Sequence, residues 1–203
     1  MIAGLLSNFR NTVILSVVLA LVMVFAYAQG HGGFDATILE AVFRWTHTFF
    51  GILWIGLLYY FNFVQIRVMP AIPAELKPAV SKYIAPEALF WFRWSALATW
   101  IMGVALAGSK HVLIPAYTLG ASEGFANKSN ILLGIGMWLA TIMFINVWVF
   151  IWPNQKIALG IVEADADAKA KAGKTAMLFS RTNLLLSIPM LTAMTMTQTV
   201  GPF

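Results

Sequence analysis

The sequence predicts an all-α integral membrane protein: a single domain over residues 1–203, built as a bundle of about five transmembrane helices with a cytoplasmic N-terminus. Three observations carry that prediction. Of the 203 residues, 60% are hydrophobic and 10% charged, with a mean hydropathy of +0.80, whereas a soluble domain carries about 25% charged residues. The apolar residues gather into runs of about 20 or more, the length that spans a bilayer's hydrocarbon as a helix. Finally, lysine and arginine sort to one side of those runs. The same composition excludes a disordered chain, a nucleic-acid-binding domain and a secreted disulfide scaffold. With no cysteine, thiolate metal sites and covalent c-type haem are excluded as well.

The runs are taken in order. Residues 11–29 form the first, although Arg10, the apolar stretch and Ala26-Tyr27-Ala28 also read as a signal peptide; the expectation is a retained helix. Residues 37–68 form the second, 88–109 the third, 131–153 the fourth and 174–199 the fifth. With the N-terminus inside, Arg44, Lys110 and Lys128 fall outside, and every other lysine and arginine inside. That bias fits a bacterial-type inner membrane. The connection 69–87 carries Pro70, Pro73, Pro78 and Pro86, which break it into turns with a surface helix. The alanine-rich stretch 156–174 reads as a continuation of the fourth span, and the Gly- and Ser-rich loop 110–130 as irregular.

Polar groups inside spans are costly and face the bundle or a wet cavity. By depth they form two sets. The inner set is Asn62, Gln65, Arg93, Asn146, Asn154, Gln155, Arg181 and Asn183. It has cations and amides but no carboxylate, which suits a planar, hydrogen-bonding anion. The competing reading is helix-packing glue with snorkelling arginines. The outer set is Arg44, His47 and His111. A neutral imidazole ligates haem iron, so a haem b held by His47 and His111 is a candidate cofactor. Gly51, one turn beyond His47, would admit a neighbouring helix or a flat cofactor.

The run Trp54-Ile55-Gly56-Leu57-Leu58-Tyr59-Tyr60-Phe61-Asn62-Phe63-Val64-Gln65, preceded by His47, resembles the signature helix of PuuD-type urate hydroxylases, whose membrane domain is the urate oxidase N-terminal family. Arg93-Trp94-Ser95-Ala96, Asn146-Val147-Trp148, Ile151-Trp152-Pro153-Asn154-Gln155 and Ser180-Arg181-Thr182-Asn183 fit as well. The resemblance implies oxidation of urate, with electrons leaving through a cytochrome c. It also implies that the eight inner residues contact the purine. Because the chain lacks C-x-x-C-H, the expected acceptor is a separate cytochrome c or a quinone. The alternatives are a non-catalytic membrane subunit or assembly factor of a larger respiratory-type complex, and a small haem-b electron carrier.

Overall fold

A computed structural model describes residues 2–200, all of whose regular elements are helical. The helices are α1 (Ile2–Leu6), α2 (Phe9–Gly30), α3 (Ala36–Ala71), α4 (Lys77–Ser109), α5 (Leu113–Tyr117), α6 (Lys128–Ala158) and α7 (Ala166–Val200). Four of them, α2, α3, α4 and α6, are long and apolar enough to cross a membrane. The fifth expected span lies in α7, which is long enough but has a lower apolar content. Its polarity is largely threonine. Thr192, Thr195 and Thr197 each donate a hydroxyl to the carbonyl four residues back, at 2.9, 2.8 and 2.6 Å. Such back-bonding satisfies the hydroxyl inside its own helix, leaving no orphan for lipid to reject.

The chain divides into two compact units, Met1–Phe43 and Arg44–Phe203, and the boundary falls inside α3. In the first unit, Asn8 caps α2, its side chain accepting the Asn11 N–H at 3.1 Å, and Asp35 likewise accepts the Ile38 N–H at 2.9 Å. These caps satisfy donors that each helix start leaves free. Only 6% of the most apolar stretch of α2 is buried. A helix that is apolar all round and this exposed is one that lipid covers.

The second unit is a bundle of the rest of α3 with α4, α5, α6 and α7. Its core centres on Trp54, Leu58, Phe92, Met143, Val147 and Ile151, each 2% exposed or less. Gly134 and Gly136 set how closely the elements of this bundle approach α6. A Cβ on Gly134 would fall on the Ala116 carbonyl of α5, and one on Gly136 would stand 3.1 Å from the Ala193 Cβ of α7.

Two expectations fail in the connections. The stretch 156–174 does not prolong α6. That helix ends at Ala158, Gly160 turns the chain with φ +74°, and Asp165 starts α7 by accepting the Ala168 N–H at 2.7 Å. One left-handed residue followed by a capping carboxylate outweighs the helix propensity of the alanines between them. The 110–130 loop is ordered: it contains α5 and a 3₁₀ turn at Ala121–Glu123, and Asn127 caps α6 by accepting the Ser129 N–H at 3.0 Å. Within the proline-rich connection, Pro78 sits in the first turn of α4, where a missing N–H costs nothing, while Pro86 lies inside α4 directly after its π turn at Val80–Ile84, so the prolines do not break that helix.

Three long helices contain a π-helical turn: α3 at Tyr60–Gln65, α4 at Val80–Ile84 and α6 at Asn146–Ile151. The α3 and α6 turns carry Asn62, Gln65 and Asn146 from the polar set. Such turns insert one residue and re-aim side chains, and they concentrate at functional positions.

Candidate functional site

The larger cavity of the bundle, about 260 Å³, lies among α3, α4, α5, α6 and α7. Arg44, His47 and Trp54 line it from α3, Thr99, Trp100, Gly103 and Lys110 from α4, Tyr117 from α5, Asn130 and Met137 from α6, and Thr197 and Gln198 from α7. Two cations and an imidazole therefore face a space whose lining holds no carboxylate.

Its walls are pinned. Trp100 donates its indole N–H to Thr141 Oγ1 at 3.1 Å, and the Tyr117 hydroxyl lies 3.0 Å from the same oxygen. Trp100 also stacks on Phe144, with centroids 5.0 Å apart and planes 9° from parallel. Arg44 Nη1 donates to Gln198 Oε1 at 2.9 Å, which ties the start of the bundle to the end of α7. Trp54 is 1% exposed, and its indole N–H is buried without an acceptor. An unpaired buried donor costs roughly 1–3 kcal/mol.

His47 is held in one orientation. Its Nδ1 lies 2.8 Å from the Thr99 carbonyl oxygen. A carbonyl only accepts, so Nδ1 carries the proton and Nε2 keeps its lone pair. Gly103 makes the room: a Cβ there would stand 2.8 Å from Cε1 and 2.9 Å from Nδ1 of the ring. The close approach falls at Gly103 rather than at Gly51, where an added Cβ would meet only Thr99 Cγ2 at 3.7 Å. An imidazole with Nδ1–H on a carbonyl and Nε2 open is also how metal-ligating histidines are held. His111, however, is exposed at the end of α4 with φ 58° and does not line the cavity. The two histidines are not brought together as a haem pair there.

The eight residues of the inner set do not converge on one site. Gln65 and Gln155 line a smaller cavity of about 160 Å³ with Phe61, Leu89, Met177 and Ser180. Asn62 Nδ2 donates to Ser180 Oγ and to the Leu58 carbonyl, both at 2.9 Å, leaving its Oδ1 buried without a donor. Asn146 and Asn183 are spent on the protein itself. Asn146 Nδ2 donates to Asn183 Oδ1 at 2.8 Å, and Asn183 Nδ2 to the Met143 carbonyl at 3.0 Å, with Asn183 fully buried. Asn154 donates to the Phe150 carbonyl one turn back at 2.8 Å. Arg93 stacks 3.9 Å over Trp152, and Arg181 is exposed. Neither arginine lines either cavity.

Sequence reasoning placed Arg44 and His47 at the right end of the bundle but missed Trp54, Trp100, Tyr117, Asn130 and Gln198. The available signal was the step of seven from His47 to Trp54, two helical turns on one face. Tyr117 and Asn130 needed the ordered 110–130 loop, which composition alone hides.

Residues 105–198 match the family model described as urate oxidase N-terminal, so over that stretch the resemblance read from the sequence holds. The matched stretch runs from the last turns of α4 through α5 and α6 into α7. Comparison with the curated proteins and with the solved structures gives no match.

Proposed function

We propose that this chain is the membrane component of a urate-oxidase-type oxidoreductase that holds a planar purine anion of the urate class in the larger cavity. The observation that carries the reading is the lining: Arg44 and Lys110 supply positive charge and N–H donors for oxyanion oxygens, His47 Nε2 can accept a ring proton, and Trp100 walls a flat ring. Size favours this cavity over the smaller one. A void of about 150 Å³ accommodates benzene, and a fused, oxygen-bearing bicycle needs more than the smaller cavity's 160 Å³. The family match covers the α6 and α7 walls of both cavities and supports the urate class of ligand.

Two-electron oxidation of a purine anion releases protons and electrons. His47 Nε2 is the residue placed to take a proton. The electrons pass to an acceptor outside these 203 residues, a cytochrome c or a quinone, since they hold no cysteine for covalent haem. In this reading α7 is the fifth span and the N-terminus faces the cytoplasm of a bacterial-type inner membrane; accessibility of terminal tags to impermeant reagents tests both.

The test is equilibrium dialysis of labelled urate against the protein in nanodiscs. One saturable site per chain, weakened at least tenfold by His47→Gln with the fold intact, is the expected result. The absence of saturable binding would sink the proposal. A visible spectrum of the same sample checks for haem b, whose Soret band His47→Ala would abolish.

The Asn146–Asn183 contact, in which Asn183 uses both its amide oxygen and its amide nitrogen on neighbouring groups, favours a second reading, a non-catalytic subunit or assembly factor of a larger membrane complex. Stoichiometric copurification of other membrane chains, with no purine binding, would select it.

A further inference from the structure

Arg93 is a cation with no anion beside it. Its guanidinium lies 3.9 Å from the centroid of Trp152 and 5.3 Å from that of Phe90. Among the described residues, no carboxylate, carbonyl or amide accepts from it. Lys156 Nζ stands 5.7 Å over the same Trp152 ring. One turn back on α6, Trp148 carries a buried indole N–H without an acceptor and meets Trp94 edge-on at 5.4 Å. Ring faces answer the charge of a guanidinium but leave its five N–H donors unused.

The cluster lies outside both cavities and opens away from the bundle, since Phe90 and Trp94 are 42% and 46% exposed. Its depth can be gauged along α4. From Ser109 back to Arg93 the helix rises about 24 Å at ~1.5 Å per residue, against a hydrocarbon thickness of about 30 Å. With Ser109 at one boundary, Arg93 lies within snorkelling reach of the other, at the level where tryptophans gather and phospholipid phosphates begin.

We propose that Arg93 and Lys156 bind the phosphate of an anionic phospholipid whose chains lie along Phe90 and Trp94. Two cations over one indole ring match a phosphodiester's charged acceptor oxygens. The exposed aromatic wall, with no enclosing cavity, suits a headgroup that stays tethered in the bilayer. Zwitterionic lipid is disfavoured because no carboxylate joins the cluster to meet its ammonium.

The test reconstitutes the full chain in vesicles of phosphatidylcholine with one-fifth phosphatidylglycerol, re-extracts it in mild detergent and quantifies retained lipid by mass. Wild type is expected to keep phosphatidylglycerol roughly thirty-fold in preference, at about fivefold per cation near the surface. Arg93→Gln and Lys156→Gln should each cut that preference about fivefold. Equal retention of the two lipids by wild type, or an unchanged preference in both variants, overturns the proposal. If Arg93→Gln fails to fold, Lys156→Gln, a half-buried surface change, decides alone. Release of phosphatidylglycerol by millimolar inorganic phosphate as complete as that by added phosphatidylglycerol also overturns it, because the site would then take a free anion.

Discussion

The two ends of the bundle treat polar side chains in opposite ways. Around the larger cavity, fixed groups surround open space: Trp100 and Tyr117 are anchored on Thr141, His47 on the Thr99 carbonyl, and the Trp54 N–H has nothing to bond. At the other end Asn146 and Asn183 close on one another and on backbone, Arg93 is taken up by aromatic faces, and the unpaired atoms are Asn62 Oδ1, Gln65 Oε1 and the Trp148 N–H. A polar group inside a membrane helix is therefore not itself a sign of a site. What separates the ends is the kind of group that faces open space: cations, an imidazole and ring walls at one end, amides and a hydroxyl at the other.

The sharpest way to break that contrast is to remove charge from the open end. Arg44→Gln deletes the cation but keeps an amide near Gln198. Losing a charge-assisted bond to an anion costs roughly 2–3 kcal/mol, so urate affinity should fall thirty- to a hundred-fold while unfolding in denaturing detergent is little changed. Affinity within threefold of wild type would show that the cavity is not where the anion sits.

The converse experiment removes an amide from the closed end. Asn183→Leu strands Asn146 Nδ2 and frees the Met143 carbonyl in a position that is fully buried. A loss of about 1.5–2 kcal/mol in stability is expected, toward the upper end of polar contacts between membrane helices. Ligand affinity should stay the same. A variant as stable as wild type but unable to bind urate would place the site at this end after all.

Much of this was legible in the sequence, and the failures share a cause. Helix content, the four apolar spans and the isolation of Arg44 and His47 follow from periodicity and charge, which act locally. Grouping the inner eight by depth was the step that misled, because depth ignores angle around the helix. Asn62 and Asn146 sit in π turns that rotate them off the spacing a regular helix would give. Whether an amide is spent or spare depends on partners such as Ser180, which comes from α7, and no spacing rule within α3 contains that partner. The glycine that mattered was likewise set by a neighbour: Gly103 is small because the His47 ring occupies the space above it.

That neighbour relation gives the third expectation. Gly103→Ala drives a methyl into the His47 ring and pulls Nδ1 off the Thr99 carbonyl. The imidazole then loses its fixed tautomer, and affinity should drop about tenfold, or ~1.4 kcal/mol. Gly51→Ala, which meets only an ordinary contact, should leave binding unaltered. Equal effects of the two substitutions would mean that general loosening of the α3–α4 contact, rather than the orientation of His47, controls the site.

The smallest expected effect tests whether the open end depends on its charges or on the stiffness of its walls. Thr141→Val keeps the volume but removes the oxygen shared by the Trp100 N–H and the Tyr117 hydroxyl. Stability should fall by about 0.6–1 kcal/mol, and urate affinity by less than threefold, because Phe144 still backs Trp100 through their stacked rings. If Thr141→Val instead cost as much affinity as Arg44→Gln, anion recognition would lie in the alignment of Trp100 and Tyr117. The cations lining the cavity would then serve to draw the ligand in without holding it, and the difference between the two ends would be one of rigidity more than of charge.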